Sequence, residues 1–226
     1  MTYIDNRKKI LKMITLDDNY FYYCQVLMRR KEHPTLEKNA TTLIEHYVAT
    51  SRHWNDKLYS AINLATVTNS RVYIHLNRRD TYRVLLEINL EIAKLLVTGH
   101  IQAVRKIVSS IVGRNHSEKD KKWVVDIDWG DLTDEQLDLM LNKIKELLVK
   151  AKRSDELVLL PTKNGFHLIT GPFNIDEFGK FLKTNDIPKV DIMKDNSPAL
   201  LFIPCEMSQE ERFKQFEKQY CKYYEE

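Results

Sequence analysis

Along the second half of the chain the hydrophobic positions switch between a period of two and a period near 3.6, which predicts short strands alternating with amphipathic helices. Lys122 to Asp128 reads as a strand. Thr133 followed by Gln136 is a capping box, and it opens a helix whose apolar stripe is Leu137, Leu141, Ile144 and Leu148. Glu156 to Leu160 and Gly165 to Thr170 read as two strands joined by the turn-forming Pro161-Thr162-Lys163-Asn164. Asn174 caps a helix through Phe178, Phe181 and Leu182, and Ile187 to Ile192 is a further strand. Ala199 to Ile203 is another. Ser208 to Tyr224 predicts a closing helix with Phe213, Phe216 and Tyr220 along one face.

The order strand-helix-strand-strand-helix-strand over residues 122 to 192 is that of the split βαβ unit, ferredoxin-like or RRM-like. In that topology the first and third strands are central neighbours and the fourth flanks the first. The first half of the chain is less regular. Tyr20 to Met28 and Arg71 to Leu76 read as strands, and Thr41 to Leu64 mainly as helix. Leu85, Ile88, Ile92, Leu95 and Leu96 recur at helical spacing, so a helix runs from about Arg83 to Thr98, with Gly99 as its break and Ile101 to Val112 as a continuation or second helix. The polar stretch Gly113 to Asp120 divides the two patterns. The expectation is an α/β (α+β) protein. An N-terminal α/β module, residues 1–115, packs intimately against a split βαβ module with a C-terminal helix, residues 116–226.

Composition narrows the class without naming a function. Of the 226 residues 43% are hydrophobic and 30% charged, which is ordinary globular usage. No apolar run reaches the roughly 18 residues of a membrane span, and the first residues do not read as a secretory signal. Cys24, Cys205 and Cys221 are widely spaced, without metal-ligand spacing. They read as thiols in a reducing compartment, so a cytoplasmic location is expected, in a cell or a virus-infected cell. The net charge of +3 does not announce a nucleic-acid binder, but Arg7-Lys8-Lys9, Arg29-Arg30-Lys31, Arg78-Arg79 and Lys119 to Lys122 are local basic clusters.

The candidate chemistry lies on the strand Trp123-Val124-Val125-Asp126-Ile127-Asp128. Alternation puts Asp126 and Asp128 on one face and Val125 and Ile127 on the other. Two like charges side by side add nothing to a core, but they suit divalent cations placed between them and a phosphate. Parity along the neighbouring strands sets His167 and Asp191 on the same face, which is expected to be open, while Phe166, Leu168, Val190 and Ile192 face the helices. Tyr22, Tyr23 and Trp54 read as core aromatics before base-stacking platforms, and His75 as structural.

These motifs, in this order, resemble the catalytic core of the archaeo-eukaryotic primase (primase-polymerase) superfamily. Val124-Val125-Asp126-Ile127-Asp128 is similar to its hydrophobic strand ending in Asp-x-Asp. Lys163-Asn164-Gly165-Phe166-His167-Leu168-Ile169 is similar to its Gly-x-His strand, and Lys189-Val190-Asp191-Ile192 to its hydrophobic-Asp strand. The resemblance covers about residues 70–204. It implies that Asp126, Asp128 and Asp191 are catalytic and hold Mg²⁺ or Mn²⁺, and that His167 and Lys163 contact the phosphates of an NTP or dNTP. It also implies that Gly165 lets the backbone approach those phosphates. Arg78 and Arg79 follow the strand that lines the template groove in such enzymes, so they are the expected contacts to a DNA or RNA template. The implied function is addition of nucleotides to a nucleic-acid chain in replication or repair, with replication proteins such as a helicase as partners and no membrane. The chain departs from the family where a basic residue usually follows the third motif, since Leu200-Leu201-Phe202-Ile203-Pro204 has none. Lys163, Lys189 and Lys194 are the candidate replacements. Three alternatives stay open: an impaired relative that only binds nucleic acid or nucleotide, a metal-dependent nuclease or replication-initiator-like protein, and a structural α/β protein without chemistry.

Overall fold

A computed structural model describes residues 2–33, 41–99, 104–114, 119–128, 130–153 and 157–205. It shows a mixed α+β protein built on two antiparallel sheets. In chain order the described elements are β1 (Thr2–Asp5), α1 (Arg7–Met13), β2 (Tyr20–Arg29), β3 (Thr41–Thr50), α2 (Trp54–Thr68), β4 (Arg71–His75), β5 (Arg79–Asp80), α3 (Thr81–Thr98) and α4 (Val104–Arg114). They continue with β6 (Trp123–Asp128), α5 (Asp134–Lys150), β7 (Val158–Pro161), β8 (Gly165–Thr170), α6 (Ile175–Thr184), β9 (Asp191–Met193) and β10 (Pro198–Cys205). The closing helix expected over Ser208 to Tyr224 lies outside the described residues. No helix among the described residues is long and apolar enough to cross a membrane.

The smaller sheet has the order β7-β8-β6-β9, all antiparallel, which is the neighbour relation expected of a split βαβ unit. Its local signals did what their chemistry dictates. Thr133 and Gln136 form both halves of the capping box, and the Asn174 side chain accepts the Glu177 N–H to start α6. Val125, Ile127, Phe166 and Leu168 form one core with Leu141 and Ile144 of α5 and Phe178 and Leu182 of α6. The fourth strand is shorter than expected, Asp191–Met193 in place of Ile187 to Ile192. Pro188 has no N–H to give a ladder, and Ile187 and Val190 reach the core from irregular backbone.

The larger sheet has the order β1-β10-β4-β2-β3, with β5 paired to the start of β2. Thr41 to Leu64 is not mainly helix. Its first ten residues are β3, paired along its length with β2 from Phe21↔Thr50 to Arg29↔Thr41, and helix begins only at Trp54. Thr41, Thr42, Ile44, Val48 and Thr50 are β-branched, and long-range pairing decides such a segment against its helical spacing. Gly99, at φ 74°, does end α3, and α4 is a second helix.

Sheet membership does not follow the division at residue 115. β10 returns to the larger sheet and lies between β1 and β4. The Asn77 side chain, fully buried, donates to the carbonyls of Lys122 and Asp195 at 3.0 and 3.1 Å and accepts the Lys122 N–H at 2.7 Å, so it ties the end of β4 to the start of β6 and to the β9–β10 connection. A second core runs across both sheets and includes Val124, Leu160 and Ile169 from the smaller with Val72, Ile74 and Leu201 from the larger.

Candidate active site

Strand register brings the separated motifs together. Asp126 is the direct partner of His167 on one side and of Asp191 on the other, and Asp128 is the partner of Gly165. Directly opposed residues share a face, with Cβ atoms about 5 Å apart. The face is not open along its whole length, as the sequence suggested. Val124 is fully buried in the core shared by the two sheets, the Asp126 side chain is 42% exposed, and Asp128 is exposed at the strand end. The face therefore emerges from between the sheets into a cleft of about 130 Å³ lined by Asp126, Asp128, Asp131, Lys189 and Asp191.

His167, the register partner of Asp126, is buried, 4% exposed. Its Nδ1 accepts the Leu200 N–H of β10 at 3.2 Å, which leaves the ring proton on Nε2, 3.4 Å from Asp126 Oδ1. The Tyr73 ring lies nearly parallel to it, 6.4 Å between centroids. His167 is thus oriented by a backbone donor and aimed at Asp126, while its expected place was against an incoming phosphate. Burial would raise the Asp126 carboxyl, but the His167 hydrogen bond and the nearby positive charges outweigh it and hold the group below its usual range. Asp128 goes the other way, raised by burial and by the negative charges of Asp126 and Asp131.

The donor set suits a hard divalent cation, which takes oxygen ligands. As the side chains are placed, no three Asp, Glu, His or Cys groups among the described residues converge on one point. Asp126 and Asp191 are register partners and Asp128 is two residues along the same strand, so the three carboxylates share one face. The repulsion that Asp126 and Asp131 exert on Asp128 is what such a cation would lessen. The donor chemistry fits the group.

A basic wall centred on Glu32 is linked to this row through Tyr73, whose hydroxyl meets Arg71 Nη1 at 3.3 Å and whose ring lies against His167; Arg71 and Glu32 were missed in the sequence. Arg71, at the start of β4, is 4% exposed and forms a two-pronged pair with Glu32, Nε to Oε2 at 3.0 Å and Nη2 to Oε1 at 2.7 Å. Lys163, in the β7–β8 turn, reaches the same Glu32 Oε1 at 2.9 Å. The charges of Arg29 and Arg71 act on Asp126, and those of Arg29 and Lys31 on Asp128. A signal was available: Arg71, Tyr73 and His75 alternate with Val72 and Ile74, which marks a polar strand face buried against something.

The expected template contacts divide sharply. Arg79 is fully buried, donating from Nε to the Val112 carbonyl at 3.0 Å and from Nη2 to Asn196 Oδ1 at 2.9 Å, and burial pushes its guanidinium down to about 10. It is a structural tie and is withdrawn from any phosphate. Arg78 is half-buried, its guanidinium 4.2 Å from the centroid of the Tyr20 ring. His75 is buried beside Gln25, and Tyr22, Tyr23 and Trp54 are core aromatics. Cys24 is fully buried, its thiol pushed up to about 12, so it is unreactive packing.

Compared with protein-family models, curated proteins and solved structures, the chain matches none of them. Its site is read from its own geometry.

Gly165 is required by the sheet itself. A Cβ there would collide with the Ile127 carbonyl oxygen and stand 2.8 Å from Asp128 Cα, so only glycine lets β8 pass β6 at this point. The sequence reading gave the close approach to phosphates; the structure gives it to the backbone carrying Asp128. Gly165→Ala is expected to cost about 1–3 kcal/mol of stability, as overpacking does. Denaturant midpoints should register that loss.

Proposed function

We propose that this protein is a metal-dependent nucleotidyltransferase of primase-polymerase type, which adds nucleotides to a nucleic-acid chain in replication or repair. The observation that carries the reading is the cross-strand row Asp191–Asp126–His167, with Asp128 beside it, at a cleft that Lys189 also lines, with the charge of Arg71 acting on Asp126. A row of carboxylates with positive charge acting on it is what a triphosphate and its cations need. On the same reading the two sheets form a primase-polymerase-like core, and the protein acts in the cytoplasm of a cell or of a virus-infected cell.

Each residue has work it can do in place. Asp126, Asp128 and Asp191 would hold Mg²⁺ or Mn²⁺, which when bound neutralises charge developing on the attacking and leaving oxygens. His167 keeps its Nε2 proton on Asp126 and so fixes the direction of that carboxylate; it is a positioning residue. Tyr73 and the Leu200 N–H hold the ring. Arg71 and Lys163 would supply the positive charge that β10 lacks and would stabilise phosphate oxygens. Arg78, which follows β4 and stacks on Tyr20, is the remaining candidate for a DNA or RNA template contact.

The test is incubation of the protein with Mn²⁺, a labelled primer–template and a mixture of NTPs and dNTPs. Extension of the primer is the expected result. Shortening would assign the same residues to a nuclease, and retardation of an unchanged primer would leave a binding protein that does not transfer.

A further inference from the structure

Glu32 has no place in the reading above, yet it holds the middle of the basic wall. Its carboxylate accepts both prongs of the Arg71 guanidinium and the Lys163 ammonium, and its side chain is 11% exposed. An arginine fork plus a lysine is the arrangement that recognises a phosphate oxyanion. We propose that Glu32 is a built-in competitor for the polyphosphate of the substrate: its carboxylate occupies the anion subsite between Arg71 and Lys163, and the substrate enters by displacing it.

The three partners differ in how firmly they are held. Arg71 belongs to a central strand of the larger sheet, paired through β4 to β2, and its Nη1 also meets the Tyr73 hydroxyl at 3.3 Å. Lys163 sits in the tight β7–β8 turn, which the Thr162 N–H closes onto the Gly165 carbonyl. Glu32 lies beyond the end of β2, outside any ladder, in a turn held by its own N–H and that of His33 on the Arg29 carbonyl and by one exposed side-chain contact, His33 Nε2 to the Asn69 carbonyl at 2.9 Å. The cations are therefore fixed to the framework and the anion is on the part that can leave. Two cations and one carboxylate leave a net charge of +1 at the subsite even with Glu32 in place, so a more highly charged anion has something to gain there. The Tyr73 hydroxyl that Arg71 meets belongs to the ring lying against His167, which in turn faces Asp126, so the subsite is linked to the carboxylate row.

The inference rests on the proposed function for the identity of the anion, and its test does not use catalysis. Binding of inorganic tripolyphosphate to the full chain is measured by calorimetry with EDTA present, so the carboxylate row contributes no metal site. Glu32→Gln keeps the shape and an acceptor for Arg71 but removes the competing charge. It is expected to bind tripolyphosphate about tenfold more tightly than wild type, because removing an occupied state raises the competent fraction. Glu32→Asp keeps the charge but is a methylene short of spanning both cations. It should gain by a smaller factor, and it carries the test if the Gln variant does not fold. Unchanged or weaker binding by a folded Glu32 variant would overturn the proposal. So would a gain confined to a single-stranded oligonucleotide with none for tripolyphosphate. A tighter variant whose wild-type parent extends no primer would leave Glu32 as the competitor and remove the nucleotidyltransferase reading instead.

Discussion

Asp126→Asn and Asp128→Asn are each expected to lower metal-dependent nucleotide transfer by about three orders of magnitude, since a catalytic metal contributes several kcal/mol of transition-state stabilisation. The two substitutions should part company in stability. Asp128 is raised above its usual range by burial and by Asp126 and Asp131, so its ionised form is disfavoured by folding. Neutralising it should leave the melting temperature equal to or above that of wild type. Asp126 is held low by the His167 hydrogen bond and nearby positive charge, so its replacement removes a favourable contact and the melting temperature should fall slightly. Primer extension measures the first effect. Melting with and without Mn²⁺ measures the second, and Mn²⁺ should raise wild type more than either variant by linkage. Transfer that survives within about tenfold in both variants would remove these carboxylates from the chemistry.

Acid should unfold the protein from well above the ordinary carboxylate range, through two groups that titrate in opposite charge senses. Burial and the Arg79 charge push the buried His75 imidazole down to about 3. The unfolded chain takes up that proton near pH 6.5 and the folded chain does not, so stability falls as pH drops from about 6.5 to about 3, by roughly 1.4 kcal/mol per unit. Glu32 adds a second limb. Burial alone would raise it, but Arg71 and Lys163 hold it at about 2. Its contribution is present above about pH 4.5, near the unfolded value, and is lost as pH falls toward the folded one. Together the limbs amount to several kcal/mol by pH 3, a large part of the 5–15 kcal/mol that typical domains have. Urea unfolding followed by circular dichroism between pH 3 and 7 checks this. His75→Gln should flatten the limb between about pH 6.5 and 4.5 and leave the Glu32 limb in place. A stability profile flat from about pH 6.5 to 4.5 in wild type would contradict the His75 shift, and one that does not steepen below about pH 4.5 would contradict the Glu32 shift.

What was legible in the sequence follows from how each segment is buried. α5, α6, β6 and β8 each present one apolar face to a single core, so their periods survive in the raw pattern, and Thr133 and Asn174 announce their helices by local chemistry alone. The parity that aligned Asp126, His167 and Asp191 needed only alternation and the split βαβ order, and the register agrees. β3 was not legible, because an edge strand exposing Leu43 and Val48 lacks the alternation of a half-buried strand and owes its form to β2. Nor was the basic wall. Arg71 and Glu32 are 39 residues apart, and Lys163 comes from the other half of the chain; only the packing of the two sheets makes them one group. The same packing covers part of the expected open face, so that His167 is buried. Arg78 and Arg79 show the limit of reading a pair of charges, since one residue of shift separates a half-exposed side chain from a fully buried one.

The place of β10 also sets an order of events during synthesis. Domains assemble as the chain emerges, but here, among the described residues, a strand from positions 198–205 is the only link through which β1 joins the larger sheet. Until a ribosome has passed that point, the strand that pairs with Thr2–Asp5 and the Leu200 N–H that donates to His167 do not yet exist in the nascent chain. The smaller sheet can close earlier from local elements, with its histidine still unoriented. Completion of the cleft is therefore a late, long-range step that joins the start of the chain to its far end, and no truncated product stopping before residue 198 can carry a finished site.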